Sequence, residues 1–168
     1  VPMYSVSNHN NQNCQEILEA NKPDILVLGG TRIIKNNILE VPAVATLNAH
    51  PGLLPWLRGS ASVGWALYKD MKVGSTVHFI DPGIDTGDII YREELPVYRS
   101  DTYETLNYRV GCLSAQLMAR ALRAFVDGDV PRMPQNRDEG ETFKVIPEDL
   151  LDEGKKRLAN GTYSHFAD

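Results

Sequence analysis

Residues 24–30 read DILVLGG, four apolar side chains in a row between an aspartate and two glycines. A half-exposed strand would alternate apolar with polar, and a buried helix needs roughly ten residues or more, so a short uniform run predicts a strand covered on both faces in a parallel sheet. Upstream, residues 14–21 have helical spacing, with Asn11 or Asn13 as the cap, and Lys22-Pro23 stops the helix. Downstream, residues 33–39 form a short helix or turn, and residues 43–48, AVATLN, supply β-branched and small side chains for a second strand. Strand, crossover and strand make a parallel pair.

The same logic continues along the chain. Residues 62–71, with Trp65, Ala66 and Tyr68, read as a helix. Residues 75–80, STVHFI, alternate like a strand with two different faces, and residues 88–97, DIIYREELPV, read as another strand. Between those strands lies DPGIDTG, dense in turn formers. The clearest helix follows, since Leu106, Val110, Leu113, Leu117, Ala121 and Phe125 fall on one stripe. Asp101 with Glu104 resembles a capping box at its start, and Gly128 ends it. Pro131 and Pro134 mark a loop-like tail, and residues 147–161, PEDLLDEGKKRLANG, form a final amphipathic helix stopped by Gly161. The order of elements is α/β, with a mostly parallel sheet flanked by helices. The expected organisation is a core over residues 1–130 and an extension with a helix over 131–168.

Composition narrows the class. The chain has 168 residues, 42% hydrophobic and 23% charged, the profile of one globular domain. No apolar run is long enough to cross a bilayer, so no membrane role is expected. The formal charge is −5 and no basic run stands out, so nucleic acid is not the expected partner. Cys14 and Cys112 lie far apart without metal-ligand or redox spacing, which reads as reduced thiols in a cytoplasmic setting. The opening VPMYSVSNHNNQN is polar and uncharged, unlike a secretory leader, and it lacks an initiator methionine, as a chain beginning partway through a longer protein would.

The chemistry collects in two places. Asn48 and His50 follow the apolar strand at its carboxyl end, the side on which open α/β sheets bind ligands. An amide NH₂ donates to a developing oxyanion and an imidazole exchanges a proton near neutrality, so the pair suits acyl chemistry. From these two residues alone, a turn cap and a satisfied core histidine are the favoured reading. The second place is VHFIDPGIDTGDI, with His78, Asp81, Asp85 and Asp88. A solvated turn naturally holds aspartates, which fits Asp81 and Asp88, whereas Asp85 follows Ile84 and precedes a Thr-Gly pair, the setting of a side chain turned inward. No HxH, HxxxH or HExxH spacing is present, so no metal is expected. There is no GxSxG, and the residues before Ser60 in RGSASVG read as loop rather than as the strand a nucleophile elbow requires.

In combination these motifs are familiar. LNAHPGLLPWLRG followed by GSTVHFIDPGIDTGDII resembles the folate-dependent formyltransferase family, which includes methionyl-tRNA, glycinamide ribonucleotide and nucleotide-sugar formyltransferases. The family pattern Asn-x-His-Pro-Ser-Leu-Leu-Pro, Thr-x-His and Gly-x-Asp-x-Gly falls on Asn48, His50, Pro51, Gly52, Leu53, Leu54 and Pro55, then Thr76 and His78, then Gly83, Asp85 and Gly87. The resemblance extends over about residues 24–125, and more loosely to PQNRDEGETF. It implies a Rossmann-like formyltransferase fold, formyltetrahydrofolate as formyl donor and no metal. The catalytic residues it implies are Asn48, His50 and Asp85, with Thr76 and His78 in support. It further implies a folate site formed by Arg32, Ile33 and Ile34 together with Ile80, Asp81, Gly83 and Ile84.

Three departures accompany it. Gly52 stands where the family has serine, which removes a hydroxyl and loosens the backbone. Arg58-Gly59 resembles the tRNA and sugar branches, but the proline that follows there is absent, with residues 60–63 in its place. The two βα units that normally open the fold are missing before residue 1. The expected activity is transfer of a formyl group from formyltetrahydrofolate to the amine of a small molecule, such as a nucleotide-linked amino sugar or a ribonucleotide amine, through a tetrahedral intermediate. A homo-oligomer is compatible with this reading. The alternatives are a formyltetrahydrofolate hydrolase and a catalytically silent folate-binding domain.

Overall fold

Helix α1 (Gln12–Asn21) begins where Asn11 accepts a hydrogen bond from the Cys14 amide at 2.9 Å. It ends at Lys22, whose left-handed backbone (φ 45°) turns its N–H onto the Leu18 carbonyl just before Pro23 forbids continuation. The computed structural model describes residues 2–31 and 33–168. The chain divides into two units, Val1–Asn48 and Ala49–Asp168.

In the first unit, α1 is followed by β1 (Ile25–Leu28), α2 (Asn36–Leu39) and β2 (Ala45–His50), whose last two residues belong to the second unit. β1 and β2 pair in parallel with Ile25 opposite Ala45 and Leu28 opposite Asn48, as the strand–crossover–strand pattern predicts. One expectation needs correction, because β1 is not covered on both faces. Leu28 is buried but Val27 is 41% exposed. Successive side chains point to opposite faces, so Leu26 and Leu28 share the better covered side, leaving Ile25 and Val27 on the other.

The second unit contains β3 (Leu57–Gly59), α3 (Ser62–Tyr68), β4 (Gly74–Phe79), β5 (Ile89–Glu94), α4 (Tyr103–Asp127), β6 (Glu141–Phe143) and α5 (Glu148–Ala159). β3 and β6 pair in parallel, and β4 and β5 pair antiparallel with a register shift between Val77 and His78. The strand pairs are therefore mixed in direction. β4 does have two different faces, yet all six of its residues are buried, so neither face meets water. Ser75 hydrogen-bonds Ser114 of α4 at 2.7 Å and Phe79 packs edge-on to Phe125 of the same helix. The alternate residues Thr76 and His78 face the polar cluster described below.

The core of this unit joins Leu57 and Val63 to Leu67, Leu106, Val110 and Leu158. Each such side chain contributes about 1.5–3 kcal/mol by leaving water, and Leu106→Ala would cost about 2–5 kcal/mol. The α4 stripe is buried as its spacing requires, with Phe125 half-buried at its end. Its capping box differs from the expected one. Thr102 and Thr105 exchange backbone-to-hydroxyl bonds at 2.8 and 3.2 Å. Asp101 instead receives the Tyr98 amide and the Arg109 guanidinium. Gly128 closes the helix with φ 75°. No described helix is long and apolar enough to cross a membrane.

Candidate functional site

The end of β2 carries His50 into the second unit, where its ring is 2% exposed. Its Nε2 lies 2.7 Å from the Leu57 carbonyl oxygen and 3.2 Å from the Ser62 hydroxyl, and its Nδ1 lies 3.4 Å from Asp85 Oδ2. His78, 1% exposed on β4, places Nδ1 at 2.8 Å from the Phe79 carbonyl oxygen and Nε2 at 3.5 Å from Asp85 Oδ1. Asp85 thus sits between two imidazoles whose ring centres are 6.4 Å apart. The Gly59 amide donates to Asp85 Oδ2 at 2.8 Å.

The backbone explains how the carboxylate reaches this place. Asp85 has φ 53°, a left-handed conformation that reverses the loop and turns the side chain inward. Gln135 Nε2 holds that turn by donating to the carbonyls of Asp85 at 2.9 Å and Gly87 at 2.6 Å. Gly59 is required on the facing strand, because its φ is 90° and a Cβ there would lie 2.1 Å from the Phe143 carbonyl oxygen. The Gly52 loop is closed rather than slack. Thr76 Oγ1 donates to the Gly52 carbonyl at 2.7 Å and accepts from the Leu54 amide at 3.1 Å, so Thr76 pins both sides of the loop.

Proton placement follows from these partners. A carbonyl oxygen only accepts, so the His78 Nδ1 bonded to Phe79 carries a hydrogen, and the His50 Nε2 carries one whenever it bonds Leu57. The other nitrogen of each ring faces Asp85, and it attracts the carboxylate only when it too is protonated. The protonation of His50 and of Asp85 is therefore linked. Burial pushes His50 below its ordinary pKa, against the Asp85 charge and the Leu57 carbonyl, which favour the cation. Burial works in the opposite direction on Asp85, but the His78 hydrogen bond, the His50 charge and the Gly59 N–H outweigh it and hold the carboxyl below the usual range. A buried carboxylate beside a neutral imidazole that gains charge during a reaction can take and return a proton.

The other expected residues are placed as follows. Asn48 is half-buried on β2 in the first unit. Ile33 is 82% exposed and Ile34 half-buried in that unit, and Arg32 lies outside the described residues. In the second unit Ile80 is half-buried, Gly83 exposed and Ile84 55% exposed. Asp81 accepts from the Gly83 amide, the Thr86 hydroxyl and Arg137, the bonding of a solvated turn, and Asp88 pairs with Arg132 at 3.6 Å. Among the described residues, no group of His, Cys, Asp and Glu is placed to hold a metal ion. Ser60 is exposed, although the residues before it form β3 and not the expected loop.

Sequence reasoning missed three neighbours of the cluster. Gln135 lay inside the quoted PQNRDEGETF segment without a role, and Arg58, 4% exposed, reaches the Asn136 carbonyl at 3.1 Å from a stretch read as loop. Ser62 is 3% exposed and touches His50, and its signal was the departure from the family pattern at residues 60–63 together with the one at Gly52.

A family model described as formyl transferase matches residues 2–122. The methionyl-tRNA formyltransferase of Methylacidiphilum infernorum is 39% identical over 140 residues, covering 81% of this chain and 44% of the relative. The chain thus spans less than half the length of that curated relative. Among solved structures, the formyltransferase PseJ of Anoxybacillus kamchatkensis, in complex with UDP-4,6-dideoxy-4-formamido-L-AltNAc and tetrahydrofolate, is 30% identical with a TM-score of 0.62, over 72% of this chain and 63% of that one. HypX of Aquifex aeolicus, in complex with tetrahydrofolic acid, shares the fold with a TM-score of 0.69 at 23% identity, over 86% of this chain and 27% of that one.

Proposed function

The chain belongs to the formyl transferase family, and from that premise we propose that it moves a formyl group from formyltetrahydrofolate to a primary amine. The observation that carries this reading is the Asp85 carboxylate held between the buried rings of His50 and His78 on the family's own motif positions. The amine nitrogen attacks the formyl carbon, and the carbonyl oxygen gains negative charge. The Asn48 amide and the protonated His50 are the donors to that oxyanion, each such donor being worth about a hundred- to a thousandfold in rate. Asp85 stabilises the imidazolium and, directly or through water, takes the proton the amine must lose. Collapse breaks the bond from carbon to the folate nitrogen, which leaves with a proton returned by the same cluster. Thr76 holds the Gly52–Leu54 loop and His78 holds the second carboxylate oxygen.

For the donor's pterin this reading assigns Arg32, Ile33, Ile34, Ile80, Asp81, Gly83 and Ile84. A flat heterocycle with apolar faces and a polar edge suits backbone groups and aliphatic side chains. In this reading residues 1–130 are the catalytic core, and residues 131–168 an extension that braces it through Gln135. The acceptor amine sits on a nucleotide-bearing molecule, the feature shared by methionyl-tRNA and by the UDP-sugar bound in PseJ.

The experiment is a label transfer. The chain is incubated with formyltetrahydrofolate labelled in the formyl carbon, in separate arms with methionyl-tRNA, a UDP-linked amino sugar, and no acceptor. Label appearing as an amide in either acceptor arm supports the proposal. Label appearing as free formate at the same rate in every arm assigns the chain to hydrolysis and overturns it, and so does label that stays on the folate.

A further inference from the structure

Neutral His50 lies between two groups that prefer to accept. The Leu57 carbonyl meets Nε2 at 2.7 Å and the Asp85 carboxylate meets Nδ1 at 3.4 Å. Only the imidazolium satisfies both, so a ring that must cycle between cation and neutral needs a partner able to change its own role. The Ser62 hydroxyl, 3.2 Å from Nε2, is such a group, because an O–H accepts from a protonated nitrogen and donates to a bare one.

Ser62 reaches the ring because position 52 has no side chain. A Cβ at Gly52 would lie 2.8 Å from His50 Nε2, 2.8 Å from Ser62 Cβ and 3.0 Å from Ser62 Oγ. Any other residue at position 52 would push the imidazole, the serine or both. Ser62 is fixed from its own side as the first residue of α3, following Ala61, whose left-handed φ of 57° turns the chain into the helix. Gly52 and Ser62 are therefore one arrangement. The loop gives up its side chain, and the helix brings a hydroxyl to the same nitrogen.

We propose that Ser62 is a positioning residue for His50, donating to Nε2 when that nitrogen is bare and so stabilising the neutral ring with its hydrogen on Nδ1, toward Asp85. This assignment rests on the formyl-transfer reading for its catalytic consequence, though not for its effect on the ring. Around the imidazole, Asp85 faces it from the loop after β4 and His78 from β4 itself, while β3 offers the Leu57 carbonyl and α3 offers Ser62. Removing the hydroxyl takes a donor from the neutral form and leaves the cation both of its acceptors, so the His50 titration moves to higher pH.

The test is ¹⁵N NMR of the His50 ring across a pH titration in the whole chain, for the parent, Ser62→Ala and Ser62→Thr, with label transfer measured in parallel. Ser62→Ala is expected to raise the titration midpoint by about half a pH unit or more, the scale of one hydrogen bond. Its neutral form should carry hydrogen on Nε2, and the pH profile of turnover should move with the ring. Ser62→Thr, which keeps the hydroxyl, should restore the midpoint and the tautomer. If Ser62→Ala does not fold, Ser62→Cys, with its weak S–H donor, must give the intermediate midpoint. A midpoint and tautomer unchanged in Ser62→Ala or Ser62→Cys overturn the assignment, as does a Ser62→Thr ring that behaves like the alanine variant. A parent that transfers no label while its ring responds as expected contradicts the formyl-transfer reading alone.

Discussion

The second unit holds two clusters that look alike as residue lists and differ as chemistry. Each has an aspartate in a left-handed conformation, Asp85 at φ 53° and Asp70 at φ 55°, and each aspartate has histidine and serine nearby. Asp70 accepts from the Ser164 amide and hydroxyl at 2.8 and 2.5 Å and faces Arg157 at 3.6 Å, while the His165 ring bonds the Asp70 backbone carbonyl and not its carboxylate. Every donor to that carboxylate is one that keeps its proton. The cluster fastens the chain's last residues to the end of α3. Asp85 instead meets nitrogens of the buried His50 and His78 rings at 3.4 and 3.5 Å, and an imidazole, unlike an amide or a guanidinium, exchanges a proton near neutrality. Residue type alone does not mark a reactive site; what marks it is whether the hydrogen-bond partners of a buried group can change protonation.

That contrast can be broken by substitution. The largest expected effect is His50→Ala, which should lower label transfer by about a hundredfold or more with the far-UV spectrum unchanged; near-normal turnover would remove His50 from the chemistry. Next comes Gln135→Ala, which frees the turn that aims Asp85 and should cost about three- to thirtyfold in turnover, in keeping with slight misplacement of a reacting group. Equal turnover would mean the turn holds itself.

The Asp70 cluster predicts the reverse pattern. Asp70→Ala should cost about 1–3 kcal/mol of stability in urea unfolding, through the loss of its hydrogen bonds, and leave turnover within about twofold. The smallest effect lies in the pH dependence of stability. Burial opposes ionisation of both carboxyls, but their hydrogen-bond donors hold each below the usual range, so each stabilises the fold above about pH 4, a contribution lost as pH falls through its folded value. His50, pushed down by burial, makes stability begin to fall as pH drops below about 6.5, since the unfolded chain binds that proton first. Unfolding of His50→Asn measured from pH 8 to 5 should lose this early descent; an unchanged curve would mean that His50 titrates alike in both states.

Much of this was legible in the sequence, and the losses have physical causes. Period-3.6 spacing located α4 because a long stripe averages out local exceptions, and the DILVLGG run located β1. The burial of β1's second face did not follow, because a uniform run reports hydrophobicity and not which neighbour covers each side. β3 and β6 escaped notice because Leu57–Gly59 and Glu141–Phe143 are too short to show alternation and are strands only by pairing with each other. The capping box slipped from Asp101 and Glu104 to Thr102 and Thr105 because adjacent polar residues offer several registers and the backbone selects one. Asp81 and Asp85 both follow an isoleucine, so what set Asp85 apart in the sequence was the Thr-Gly pair after it, against Pro82-Gly83 after Asp81. The left-handed turn of Asp85 and its Gly59 donor were not legible, since they depend on segments brought together by folding.

The most direct measurement is label transfer from formyltetrahydrofolate by Asp85→Asn and Asp70→Asn side by side, each checked for an intact fold. An amide at position 85 keeps the size and the left-handed turn but cannot hold the proton, so turnover should fall by about a hundredfold or more in Asp85→Asn and stay within about twofold of the parent in Asp70→Asn. Equal turnover in the two variants would contradict the assignment of Asp85 as the carboxylate that handles the proton.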